Sequence, residues 1–167
     1  SLADLEKVPD QYAVIRKQAF LRLDTGSASD SRVLLFSTDD GLATLLRSEY
    51  WIADGTFKSV PRLALQLYTV HASVASKFLP AVYCLMAKKD RASYVTVFTC
   101  IRDLLRGTSK NYHGPKYIST DYEEGAIKAF TEVFPTATPA GCLFHFGQIL
   151  FRKLQDEGLQ GAYNRRE

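Results

Sequence analysis

Two aspartates stand where a carboxylate needs a reason. Asp54 lies inside the apolar run Trp51-Ile-Ala-Asp54-Gly-Thr-Phe57, and a charge there must be paired, solvated at a cleft or bound to a cation. Gly55 beside it lets a ligand or another backbone come close. Asp121 follows Lys116-Tyr-Ile-Ser-Thr120, at the C-terminal end of an expected strand, which is the edge where open α/β sheets bind ligands. On neighbouring strands the two carboxylates can face one crevice and share divalent cations, Mg2+ or Mn2+. This is the donor chemistry of phosphoryl transfer by two metals ~3.5–4 Å apart, one activating the attacking oxygen and one stabilising the leaving oxygen. The alternative for Asp121 is structural, because a strand-end aspartate also N-caps a following helix, here one running through Glu124.

Cys142 and His145, in Gly141-Cys-Leu-Phe-His145, have the spacing of half a zinc site. A structural zinc takes four ligands, and the sequence holds no second Cys-x-x-Cys or His-x-x-x-His pair. Nothing around Cys142 lowers a thiol pKa or orients a Cys–His nucleophile, so Cys142 reads as a small buried hydrophobe. His145 is either a satisfied structural histidine or, at a helix start near the strand-end carboxylates, a contact to substrate phosphate. Basic residues gather at Lys88, Lys89 and Arg91, at Arg102, Arg106 and Lys110, and at Arg152 and Lys153. Such groups neutralise nucleic-acid phosphates or simply form solvated faces.

The elements that must carry these residues are legible in outline. Val14, Ile15, Phe20, Leu21 and Leu23 suggest a strand or packed extension, ended by the loop from Asp24 to Asp30, and Val33–Phe36 is a short apolar run. Ser37-Thr-Asp-Asp40 is an N-cap cluster ahead of Leu42, Leu45 and Leu46 at helical spacing. Three strands follow, Tyr50–Phe57, Leu65–Ala72 and Phe78–Met86; the second alternates only approximately, through Leu65, Leu67 and Val70. Short connections make them antiparallel neighbours. Helix and strand then alternate: a helix from Ala92 to Arg106 on Tyr94, Val97, Phe98, Ile101, Leu104 and Leu105, a strand at 116–120, a helix from Glu123 to Phe134, a strand at 138–142, and a helix from Phe144 to Glu157 ended by Gly158. Helical crossovers imply parallel strands. The expected fold is therefore α/β, a mixed sheet of three antiparallel strands followed by αβαβα with helices on both faces, which is the element order of a ribonuclease-H-like domain.

The 167 residues suit one domain, with 46% hydrophobic and 23% charged residues, a globular composition. The net charge of +3 permits nucleic-acid binding without arguing for it. No apolar run approaches the ~20 residues of a membrane span, and residues 1–18 lack the apolar core of a signal peptide. Cys84, Cys100 and Cys142 are too few and too scattered for a disulfide framework, so a reduced, intracellular compartment is expected. Residues 1–40 read as an extension packing on the core, 41–163 as the core domain and 164–167 as a tail.

Taken in order, four segments resemble the catalytic domain of Mutator-like element (MULE) transposases, in the DDE transposase and retroviral-integrase superfamily. They are Trp51–Phe57; Phe78–Met86 with Lys88 and the Tyr94–Phe98 helix start; Ile118-Ser-Thr-Asp-Tyr-Glu123; and Gly141-Cys-Leu-Phe-His145-Phe-Gly-Gln148 with Arg152 and Leu159 after it. The resemblance spans about residues 30–163. It implies a ribonuclease-H-like enzyme that uses Mg2+ or Mn2+ to cut DNA at transposon ends and join the freed 3′ hydroxyl to target DNA, in the nucleus. Asp54 and Asp121 would be the first two metal-binding carboxylates, and Cys142 and His145 the family's auxiliary motif. The family's third acid, a glutamate, follows an inserted helical region after the Cys-x-x-His helix, and neither Glu157 nor Glu167 matches it. The other reading is a transposase-derived module that binds DNA or protein without catalysis. A nuclease for RNA–DNA hybrids would need its full carboxylate set within these residues.

Overall fold

Along Gln66–Val74 the side chains alternate between buried and partly exposed positions up to Ser73, with Gln66, Tyr68, Val70 and Ala72 facing the core. The phase differs from the sequence expectation. Leu65 is exposed and Leu67 lies on the opposite face, because a polar residue, Gln66, holds a core position. Its Nε2 donates to Tyr94 Oη at 2.7 Å and approaches Met86 Sδ at 3.3 Å, which satisfies the amide nitrogen, while Oε1 is buried without a hydrogen-bond partner among the described residues.

The computed structural model describes residues 1–56, 60–75, 77–121, 123–141, 143–158 and 161, with backbone alone for 143–146 and 148–150. Nine strands and five α-helices are assigned among them: α1 (Asp10–Ala13), β1 (Val14–Ile15), β2 (Gln18–Ala19), β3 (Leu21–Asp24), β4 (Val33–Phe36), α2 (Asp39–Arg47), β5 (Tyr50–Thr56), β6 (Gln66–Val74), β7 (Lys77–Met86), α3 (Arg91–Thr108), β8 (Tyr117–Thr120), α4 (Glu124–Val133), β9 (Thr138–Gly141) and α5 (Leu143–Asp156). β1 and β2 form a separate small hairpin. The other seven strands make one sheet in the order β3-β4-β7-β6-β5-β8-β9. β3, β4, β7, β6 and β5 pair antiparallel in succession. β8 and β9 are parallel to β5, as the crossovers through α3 and α4 require. The fold is thus mixed α/β with a mostly antiparallel mixed sheet.

The helices begin where local chemistry starts them. Thr38 caps α2 by accepting from Gly41 N at 3.0 Å, and Asp90 caps α3 by accepting from Ser93 N at 2.8 Å. Each bond satisfies an amide that the first helical turn leaves without a partner.

Helices on both faces were expected: α2, α3 and α4 share one face, and most side chains in the first half of α5 lie outside the described residues. Leu42 and Leu45, Tyr94, Val97, Phe98 and Ile101, and Ala126, Ala129 and Phe130 pack in one cluster with Trp51, Tyr68, Val70, Cys84 and Ile118 of the sheet. The other face over β4 and β7 is covered by the chain's first residues: Leu2 and Val8, with Leu5 and Phe20, pack on Leu34, Phe36, Tyr83 and Leu85. β4 is buried throughout, so both of its faces needed a cover, and the N-terminal segment supplies the second.

Candidate active site

β5 and β8 run parallel in a register that pairs Tyr50 with Tyr117 and ends on Ala53 with Thr120. The next residue of each chain segment is an aspartate. Asp54 and Asp121 therefore occupy adjacent positions where the pairing of these parallel strands ends, Asp54 still inside β5 and Asp121 just past β8. Both are partly buried, and Oδ1 of each is shielded from solvent. β9 continues the same edge, with Gly141 opposite Thr120, and α5 starts two residues later, carrying His145 in its first turn. Cys142 and the side chain of His145 lie outside the described residues.

Each carboxylate has a distinct surrounding. Asp54 pairs across to Thr69, and His71 pairs to Ile52, which sets His71 on Asp54's face of the sheet, one diagonal step away. Burial holds the His71 imidazole below its ordinary pKa, opposed by the Ile52 carbonyl and by the Asp54 charge. Its Nδ1 is buried without a hydrogen-bond partner among the described residues. Asp121 is an electrostatic neighbour of Tyr68 and Tyr94. Burial above all pushes both phenols up, and the Asp121 and Glu123 charges add to the rise.

Gly55 lets the strand lie close against the buried amide. A Cβ there would lie 2.9 Å from Gln66 Oε1, so a side chain at this position would require the amide to shift.

Asp121 does not take the capping position considered for it. α4 begins at Glu124, its N-cap residue is Glu123, and no side chain caps it. Glu123 instead accepts from Tyr94 Oη at 2.7 Å, with Lys89 Nζ 3.7 Å away.

A family model for the MULE transposase domain matches residues 50–148, from the first residue of β5 into α5 and across more than half of the chain. The chain belongs to the MULE transposase domain family. No curated protein and no solved structure matches it. The MULE match takes in Asp54, Asp121, Cys142 and His145 and stops short of Arg152 and Lys153.

Within this MULE domain the basic residues differ in what they face. Lys88, Lys89 and Arg91 are exposed where β7 turns into α3; Arg91 is ion-paired with Glu132 and Lys89 faces Glu123. Lys153 pairs with Glu157 at 2.6 Å on α5, and Arg152 beside it is exposed. Arg102 pairs with Asp103 at 2.9 Å. The two described thiols offer no nucleophile: burial pushes Cys84 up and Cys100 to about 11, so both stay protonated at neutral pH.

No three His, Cys, Asp or Glu side chains among the described residues come together as a metal-binding group. The candidate donors are the carboxylates of Asp54 and Asp121. Such a pair suits Mg2+, which binds through one or two carboxylates and completes its shell with water and substrate phosphate. His71 lies diagonal to Asp54 and Tyr94 is an electrostatic neighbour of Asp121, with Gln66 and Glu123 bonded to Tyr94; the sequence reading did not single these four out as site residues. The usable signal was Gln66 itself, a polar residue in an apolar strand beside the glycine that follows Asp54.

Proposed function

We propose that this chain is the core of a DDE-type transposase domain that cleaves DNA strands and transfers them to a target, with Asp54 and Asp121 as two of its metal-binding carboxylates. The observation that carries the reading is the β5–β8 register, which puts the two aspartates at adjacent positions where the pairing ends. The strand succession β7-β6-β5-β8-β9, antiparallel and then parallel, supports a ribonuclease-H-like arrangement. Membership of the MULE family supports the reaction class.

Asp54 and Asp121 would hold Mg2+ or Mn2+, which when bound supplies activation of the attacking oxygen and charge stabilisation of the leaving one. The chain's own part is to fix two carboxylates at the end of the β5–β8 pairing, partly shielded from water, where their charge attracts cations strongly. The family's third acid, expected after the helix that follows Cys142 and His145, would complete the set. Lys88 and Arg152 are exposed cations suited to DNA phosphates, and transposon ends and target DNA are the substrates this reading implies, in the nucleus.

Thermal unfolding with and without Mn2+ tests it. Saturating Mn2+ should raise the melting temperature of the wild type, and Asp54→Asn or Asp121→Asn should abolish the rise. Equal shifts in all three proteins would sink the shared site. The absence of any shift would favour the transposase-derived binding module.

A further inference from the structure

We propose that Gln66, Tyr94 and Glu123 form a positioning clamp for the carboxylate pair, fixing the turn that carries Asp121 relative to the strand that carries Asp54. The proposal rests on the metal-dependent reading above and adds to it the residues that set the pair's spacing.

The bonds run in one direction. A phenol has a single proton, and Tyr94 gives it to Glu123 Oε2 at 2.7 Å. The same oxygen then has lone pairs to accept from Gln66 Nε2, also at 2.7 Å. The second proton on Nε2 points toward Met86 Sδ. Gln66 and Tyr94 show no exposed surface, and the Glu123 side chain is 18% exposed. A bond to an ionised acceptor, shielded from water in this way, is among the stronger ones a side chain makes.

The two ends of the chain of bonds give it a role beyond packing. At one end, Gln66 Oε1 lies so close to Gly55 that a Cβ there would be 2.9 Å away, which sets the amide against the residue after Asp54. At the other, Glu123 stands two residues past Asp121. Ser, Thr, Asp or Asn at an N-cap turns its side chain onto the first helix amides; Glu123 occupies that position, leaves α4 without a side-chain cap and holds Tyr94. β5 and β8 are themselves bonded only as far as Ala53 and Thr120. Beyond that point β5 stays paired to β6 as far as Thr56, the β5–β8 ladder no longer ties the Asp121 segment to it, and the Gln66–Tyr94–Glu123 chain spans the gap. Groups bonded directly to a metal ligand are worth roughly tenfold or more in affinity; the clamp acts on the chain that carries the ligands, and tenfold is the scale of loss expected when it is cut.

Tyr94→Phe is the first variant, because it keeps the ring against Tyr68, 5.0 Å between centroids, and removes only the hydroxyl. Glu123→Ala and Glu123→Gln, at a helix end, guard against a Tyr94→Phe protein that fails to fold. Mn2+ affinity is read by titration, and order in the turn by amide hydrogen exchange at the end of β8 and the first turn of α4. Tyr94→Phe and Glu123→Ala should weaken Mn2+ binding about tenfold and speed exchange locally, leaving β6 protected. Glu123→Gln keeps a carbonyl acceptor for Tyr94 and should bind Mn2+ nearly as the wild type does. Wild-type affinity and exchange in Tyr94→Phe would overturn the clamp. Equal losses in Glu123→Gln and Glu123→Ala would make Glu123 a direct ligand and overturn its positioning role. If the wild type itself shows no binding that depends on Asp54 and Asp121, the functional reading fails, and exchange alone decides the clamp: faster in Tyr94→Phe supports it, unchanged overturns it.

Discussion

Arg32 is 1% exposed. Its Nε and Nη2 donate to the two oxygens of Asp24 at 2.8 and 2.7 Å. Its Nη1 donates to the Leu2 carbonyl at 2.8 Å and also to that of Leu5. One guanidinium therefore ties the first residues to the strand β3–β4 connection. Arg32→Ala would leave a carboxylate and two carbonyls without their donor, so unfolding in urea should show a loss of about 3 kcal/mol. Arg32→Lys should recover only part of it, since an ammonium cannot make the fork. Arg32 holds the Asp24 carboxyl below the usual carboxylate range, with burial opposing and the Gly26 amide assisting. As pH falls from about 4 the unfolded chain takes up the proton first. The pair's contribution is therefore complete above that pH and is lost as pH drops through the depressed native value. Asp24→Asn should flatten the acid limb of a stability–pH curve.

At the scale of elements, α3 is the longest helix among the described residues. It links the last antiparallel strand to the first parallel one. Its N-cap, Asp90, is held below the usual carboxylate range chiefly by the Ser93 amide, and its C-cap amide, Ser109 N, returns to the Leu105 carbonyl at 2.9 Å. Asp90→Ala should cost about 1 kcal/mol, measurable as a lower urea midpoint with an unchanged slope. Tyr94 lies in that same first turn, so loss of the cap should also speed exchange at the start of α4 through Glu123.

Across the whole molecule, a run of rings joins the helices to the sheet. Tyr68 meets Phe98 at 6.1 Å, Phe98 meets Phe130 at 5.3 Å, Phe130 meets Phe134 at 5.1 Å, and Phe134 meets Trp51 at 5.6 Å. Three of these four contacts are edge-on, the geometry that aligns a ring's positive rim with its neighbour's face. Phe130 is the link between α3 and α4 and is fully buried. Phe130→Ala should cost about 3–5 kcal/mol, and a calorimetric scan should show the melting point falling in one cooperative transition. Partial unfolding of α4 alone, with the sheet intact, would contradict a single core.

The sequence by itself located the main elements from β4 onward, with ends within about two residues, while the short helix Asp10–Ala13 and the Val14–Ala19 hairpin were not resolved in it. Period-two and period-3.6 patterns and the Thr38 cap are set by residues within a few positions of one another, so they can be read locally. It also placed Asp54 in an apolar strand and Asp121 at a strand end, where a charge calls for a reason. Only the tertiary structure decided that β5 and β8 pair in the register that puts those aspartates at adjacent positions where the pairing ends. It likewise decided that Gln66 belongs to the core, that Arg32 reaches the Leu2 carbonyl, and that Glu123 serves Tyr94 rather than its own helix. The phase of β6 was misread because its deciding residue is polar and only its distant partners, Tyr94 and Met86, make it a core position. These features join residues far apart in the chain, and a hydrogen bond between distant residues leaves no periodicity in either segment. What is local in energy was legible in the sequence; what depends on long-range pairing was settled when the strands met.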